Sequence, residues 1–155
     1  EYITNGQGEE NRGEEYTVGI FLDKNSKALG AIPMLRQLRF GLTWHAFVDD
    51  YPDIAETAIQ AAEAVGAVGP CNVQLRRDRE NKPCVIEINA RFSSTVVFRA
   101  KLGFNEAGAA IEYFLHNRKP RLDFKKGVVM KTWDELVIPL NIYHDLEKNN
   151  FLSNE

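Results

Sequence analysis

The stretch Cys84–Phe92, CVIEINARF, alternates apolar and polar residues at period 2 and reads as a β-strand. Just upstream, Gly69–Asp78, GPCNVQLRRD, alternates in the same way, and the four residues RENK join the two. Two such strands on so short a connection form an antiparallel hairpin, and hairpin geometry decides which side chains meet. With the tip centred between Glu80 and Asn81, Gln74 lies opposite Glu87 and Asn72 opposite Asn89. Directly opposed side chains have Cβ atoms about 4.5–5.5 Å apart, close enough to share one ligand. One face therefore gathers Asn72, Gln74, Glu87 and Asn89, with Arg91 one step further along. The other face, Cys71, Val73 and Leu75 with Cys84, Ile86 and Ile88, is expected to be core. Both cysteines are then buried free thiols, several pairs apart and beyond disulfide reach.

A polar strand face is most often the solvated side of an antiparallel sheet. Asn and Gln are disfavoured in mid-strand, however, and solvated faces are usually built from Lys, Thr and Glu. Oxygen ligands with one carboxylate among them suit a hard cation such as Mg²⁺, which keeps several waters and is shared with phosphate oxygens. The three histidines, His45, His116 and His144, are scattered, which argues against zinc or iron.

The rest of the chain gives this hairpin a setting. Glu15–Asp23, EYTVGIFLD, and Ala28–Phe40, ALGAIPMLRQLRF, predict a second hairpin across the turn DKNSK. Residues 41–51, GLTWHAFVDDY, show no clean period and read as a loop. A helix over 52–66 follows from Ile54, Ala58, Ala61, Ala62 and Val65 at helical spacing, with Pro52 at its start and Gly66 at its end. It is the natural cover for the apolar face of the hairpin. Further helices are expected at about 94–102, stopped by Gly103, and after the cap Asn105. GVVMKTWDELVIPL, from Gly127, begins as a strand. Residues 5–14 are Gly-rich and polar but are not a phosphate loop, since no Lys follows the glycines and no helix opens after them.

At 155 residues the chain suits one domain that buries roughly 70% of its unfolded surface. Its net charge of −3, with acids and bases interspersed, leaves no footprint for nucleic acid or a membrane surface. No apolar run approaches the roughly 20 residues of a membrane helix. Two cysteines are too few for a disulfide framework, and a cytoplasmic location fits best. The first residues are not a secretory signal and do not begin with Met, so a longer parent chain is expected.

GPCNVQLRRDRENKPCVIEINARFSST resembles the C-terminal catalytic segment of the ATP-grasp superfamily, nearest to the large subunit of carbamoyl-phosphate synthase and its relatives. The resemblance covers roughly residues 1–115. It implies that Gln74, Glu87 and Asn89 are ligands to magnesium (or manganese), two ions bridging the phosphates of ATP, with Asn89 and Arg91 in catalytic positions. It further implies that Glu1, Tyr2 and Ile3 form the hinge whose backbone binds adenine, and that Glu15, or its neighbour Glu14, holds the ribose while Gln74 also contacts the nucleotide. His45 falls where the family often contacts substrate, although a lone surface histidine is the preferred reading. The insert over 4–14 is longer than the family's usual spacing. The family's glycine-rich loop and ATP-contacting lysines lie upstream of the hinge and have no match here.

The implied fold class is α+β, the C-terminal lobe of an ATP-grasp domain spanning 1–155, an antiparallel sheet with helices packed on one face and the ATP site on the other. The implied reaction activates a small carboxylate or bicarbonate with ATP, through an acyl phosphate, for capture by an amine or another nucleophile. Partners would be ATP, the carboxylate and the upstream lobe of the same protein, with a homo-oligomer left open. The rival classes are a non-catalytic nucleotide-binding or assembly module of the same shape and a metal-dependent phosphate hydrolase.

Overall fold

The computed structural model describes residues 15–39 and 41–131, together with residues 3–4, 10–11 and 148. Strand β1 (Ile3–Thr4) pairs with β2 (Glu10–Asn11) as a short antiparallel ladder. The main sheet contains β3 (Glu15–Leu22), β4 (Ala28–Arg39), β5 (Leu42–Val48), β6 (Gly69–Arg77), β7 (Pro83–Asn89) and β8 (Gly127–Met130). Its order is β7-β6-β3-β4-β5-β8, antiparallel throughout.

Strand β3 is buried along its whole length, because each of its faces is covered differently. Tyr16, Val18, Ile20 and Leu22 point to one side, where α1 (Pro52–Ala64) lays down Ile54, Ala58 and Ala62 beside Cys71, Val73 and Leu75 of β6. Helix α1 starts on Pro52, whose missing N–H costs nothing there, and is followed by Gly66 at φ +70°. The expected α+β architecture, an antiparallel sheet with a helix packed on one face, is present. The short helices α2 (Val96–Lys101) and α3 (Glu106–Ala110), the latter running into a π-helical turn at Ile111–Leu115, settle beside the other face. There Phe104, Phe98, Leu102, Leu122 and Phe124 cover Ile32, Met34, Ala46 and Val48 of β4 and β5. The second face is thus apolar over β4 and β5 and polar over β3, β6 and β7.

The same five-residue turn closes both hairpins. In Asp23–Lys27 the aspartate Oδ1 accepts from the backbone N–H of Asn25 and Lys27, and Ser26 adopts φ 59°. In Asp78–Lys82 the aspartate Oδ1 accepts from Glu80 and Lys82, and Asn81 adopts φ 65°. Asp supplies the local acceptor, and the fourth residue takes the left-handed conformation that a three-residue loop requires.

Three expectations need correction. Asn72 opposes Asn89 and Gln74 opposes Glu87 as read from the sequence, but a β-bulge follows, after which Leu75 opposes Val85 and Arg76 opposes Cys84. The extra residue, Ile86, arises because the Asp78–Lys82 turn sets a register one residue out of step with the far end of the hairpin. The bulge takes Cys84 and Ile86 off the core side, so that Cys84 is exposed and Ile86 is 52% exposed, while Cys71 stays buried. Second, β7 ends at Asn89: the Arg91 N–H donates to the Asn89 carbonyl at 2.8 Å, and Arg91 follows a tight turn instead of continuing the strand. Third, residues 42–48 are strand β5 rather than loop, paired with β4 and β8. Its period is blurred because Thr43, Ala46 and Val48 are buried while Trp44 and His45 are half-covered, and because a bulge at Gln37/Leu38 shifts its pairing. Among the described residues no helix is long and apolar enough to cross a membrane.

Candidate nucleotide and metal site

On the face away from α1, strand pairing sets three rows of side chains from β7 to β4. They are Asn89–Asn72–Gly19–Ile32, Glu87–Gln74–Thr17–Met34 and Cys84–Arg76–Glu15–Arg36. The first two rows carry the predicted ligands. Glu87 is exposed and makes no hydrogen bond or ion pair among the described residues. Gln74 Oε1 accepts from Arg36 Nη2 at 2.9 Å, which uses one of its two lone pairs. Asn89 Oδ1 receives only a long contact from Arg91 Nη2, at 3.4 Å, while Arg91 Nη1 donates to the Phe92 carbonyl at 2.9 Å. Asn72 differs from these three, because it is 2% exposed and its Oδ1 accepts from Thr17 Oγ1 at 2.7 Å and from Arg99 Nη2 at 2.5 Å. The convergence read from the sequence therefore contains three available oxygen donors, not four.

This donor set can be tested against a cation. Among the described residues no three His, Cys, Asp or Glu side chains cluster in a way that could hold a metal. One free carboxylate flanked by two carboxamide oxygens fits a hard cation that takes its remaining ligands from water or phosphate, and fits no soft metal. The residues present are compatible with Mg²⁺ or Mn²⁺.

The third row is an electrostatic clamp. Glu15 Oε1 accepts from Arg36 Nε at 3.0 Å and from Arg36 Nη2, and Glu15 Oε2 accepts from Arg76 Nη2 at 2.7 Å. Burial on its own raises the Glu15 carboxyl, but the hydrogen bonds from Arg76 and Arg36 outweigh it and hold the group below the usual range. Glu15 thus lies on the same face as Gln74 with both oxygens engaged. Its alternative, Glu14, and the hinge residues Glu1 and Tyr2 lie outside the described residues, and Ile3 is placed only by its backbone pairing with Asn11 in β1. His45 pairs across from Gln37, on the α1 side of the sheet and away from these rows, with Nδ1 3.2 Å from Gln37 Oε1.

Over the β3 end of the rows, on the same face, lies a group that sequence reasoning missed. Arg99 is fully buried, and its Nη1 donates to Glu106 Oε1 at 2.9 Å while Nη2 reaches Thr17 and Asn72. Burial pushes the Glu106 carboxyl up, against the pull of Arg99. The pair is admitted by Gly19, where a Cβ would come within 2.3 Å of Arg99 Nη1 and 2.5 Å of Glu106 Oε1. Arg36, Arg76 and Thr17 were legible in principle as alternate polar residues on strands that flank the ligand rows. Arg99 and Glu106, seven residues apart around the bend at Gly103, carry no such signal.

Comparison with known proteins bears on the fold and the family. A curated relative, "Multifunctional protein pyr1-3" of Dictyostelium discoideum, is 29% identical over 113 aligned residues, covering 68% of this chain and 5% of that protein. Among solved structures, the phosphoribosylaminoimidazole carboxylase ATPase subunit of Aquifex aeolicus superposes with a TM-score of 0.61 at 12% identity, covering 87% of this chain and 45% of its own. The ADP complex of an N5-carboxyaminoimidazole ribonucleotide synthetase superposes at 0.57 and 10% identity, covering 73% and 31% respectively. The chain therefore spans under half the length of each of these proteins. The family model described as "ATP-grasp in the biosynthetic pathway with Ter operon" matches residues 10–136, most of the sequence, and the chain belongs to that family.

Proposed function

We propose that this chain is the metal- and nucleotide-binding lobe of an ATP- and Mg²⁺-dependent ligase of the carbamoyl-phosphate-synthase type. The enzyme would convert a carboxylate or bicarbonate to an acyl phosphate, which an amine or another nucleophile then captures. The observation that carries the reading is the pair of cross-strand rows that bring Glu87, Gln74 and Asn89 together on one open face, within the family-matched region. That a protein of similar fold was solved as an ADP complex supports nucleotide binding by this fold.

Each residue then has a defined task. Glu87 supplies the one anionic oxygen, and Gln74 and Asn89 add neutral oxygens without the repulsion that further carboxylates would bring. Bound Mg²⁺ contributes charge neutralisation, on which phosphoryl transfer mostly depends. Arg91, released from the strand by the turn at Asn89, offers a planar guanidinium that can grip two phosphate oxygens. Glu15 would orient the ribose from its clamp, with Gln74 beside it, and the segment Glu1–Tyr2–Ile3 would provide backbone hydrogen bonds to adenine. The small carboxylate and the upstream lobe complete the cleft. A cytoplasmic location goes with this reading and is supported by the free thiols of Cys71 and Cys84.

The test is Glu87→Gln in the full-length protein. Because Glu87 is the only free carboxylate in the rows, Mg²⁺-dependent ADP formation should fall at least about 100-fold, as for the loss of several kcal/mol of electrostatic stabilisation, while the melting temperature stays unchanged. Retention of turnover and of its Mg²⁺ dependence would remove the assignment. ADP formation that needs no carboxylate would favour a phosphate hydrolase, and nucleotide binding without turnover in the parent would favour an assembly module.

A further inference from the structure

A buried arginine–carboxylate pair on the same face as the ligand rows is more than a packing element when its remaining bonds go to side chains of those rows. Arg99 and Glu106 are both essentially inaccessible, and among the described residues Arg99 Nε and Glu106 Oε2 have no hydrogen-bond partner. Pairs of this kind are commonly neutral or unfavourable for stability compared with apolar residues of similar volume. Stability alone therefore gives a weak reason for the pair. Its geometry gives a stronger one. Asn72 stands between Gly19 of β3 and Asn89 of β7. Arg99 lies over Gly19 and, with Thr17, draws the Asn72 oxygen toward β3. The nitrogen of the planar amide is then turned away from β3, and it makes no hydrogen bond among the described residues.

We infer that Arg99 and Glu106 are positioning residues that fix the Asn72 amide so that it presents N–H, not oxygen, to the neighbouring ligand Asn89. A donor in that place can hold the Asn89 oxygen by one lone pair, leaving the other for a cation, and removes a competing oxygen from the metal rows. The pair thus acts on the ligands through Asn72, as hydrogen-bonded supports commonly do at metal sites. This inference rests on the reading of Gln74, Glu87 and Asn89 as metal ligands.

The test uses the full-length protein and two changes. Arg99→Met with Glu106→Leu removes the pair while keeping the volume apolar. Asn72→Asp keeps an oxygen on Arg99 but exchanges the nitrogen facing Asn89 for oxygen. Mn²⁺ binding in the presence of a non-hydrolysable ATP analogue is read by water-proton relaxation, alongside melting temperature and Mg²⁺-dependent ADP formation. The double variant should fold yet bind Mn²⁺ about tenfold or more weakly, in the range seen when supports of metal ligands are removed. Asn72→Asp should shift Mn²⁺ affinity at least about fivefold at an unchanged melting temperature, and it carries the test if the double variant does not fold. Parent-like Mn²⁺ affinity in Asn72→Asp, or in a folded double variant, would overturn the positioning role. Glu87→Gln separates the two levels: if it too leaves Mn²⁺ binding intact, the ligand assignment falls, and with it the inference.

Discussion

Glu15 is held between Arg36 and Arg76, so its contribution depends on its staying ionised. Its folded-state pKa lies below the value of about 4.3 expected for an unfolded glutamate, and the clamp is therefore at full strength above that pH. As pH falls through the lower, folded-state value, the proton restores the balance and the contribution disappears. Glu15→Gln should cost about 2 kcal/mol of unfolding free energy at pH 7, a figure typical of hydrogen bonds to charged groups. Urea titrations should show the gap between parent and variant closing as pH drops below about 4, where the unfolded glutamate also protonates. A gap that stays constant down to acid pH would mean that Glu15 acts through packing. The two cysteines give a second residue-scale outcome. Cys84 should react with a thiol reagent within the native state, whereas Cys71, buried and with its thiol pushed up by that burial, should react only on unfolding. Equal protection of both would restore the regular hairpin that the sequence alone suggests.

At the scale of elements, the centre of the site depends on one missing methyl group. Strand β3 passes under Arg99 and Glu106 at Gly19, and both side chains are enclosed. Gly19→Ala should destabilise the fold by about 3 kcal/mol, the upper range for overpacking, because neither buried end has solvent to retreat into. Chemical denaturation would measure it, and a change below about 0.5 kcal/mol would show that the pair can move aside. The elements also show what a sequence displays and what it hides. Helix α1, both hairpins and the cap at Asn105, whose Oδ1 accepts from the Gly108 N–H at 3.0 Å, are local patterns and were legible. The facing of Gln74 with Glu87 was legible too, because a two-residue period propagates from a known turn. It failed at Ile86, since a bulge is set by the mismatch between a turn and the far end of its strands and not by any one residue. Strand β5 was hidden because its pattern is governed by neighbours distant in sequence. The Arg99–Glu106 pair was hidden for the same reason, as it is made by a helix folding back over a glycine some eighty residues earlier.

At the scale of the molecule, the site is a single open surface. Everything described lies on one face of one sheet, and the chain covers 45% or less of each solved relative with which it was compared. A nucleotide bound there would be screened by water on its outer side, where electrostatic contacts lose most of their strength. This chain alone is therefore expected to bind MgATP no tighter than about millimolar, near 4 kcal/mol of binding free energy, and to form no ADP. Isothermal titration checks it, and micromolar affinity would place the complete nucleotide site within these residues.

Strand β7 is outermost in the main sheet among the described strands, and it exposes Val85 and Ile86 along an edge that pairs with no further described strand. An edge of that kind invites another chain to add to the sheet. The bulge at Ile86 breaks the ladder halfway and twists it, so that an incoming strand cannot stay in register along the whole edge. The irregularity that upset a simple pairing rule is thereby expected to make this edge a poorer template for a second chain than a regular strand would be.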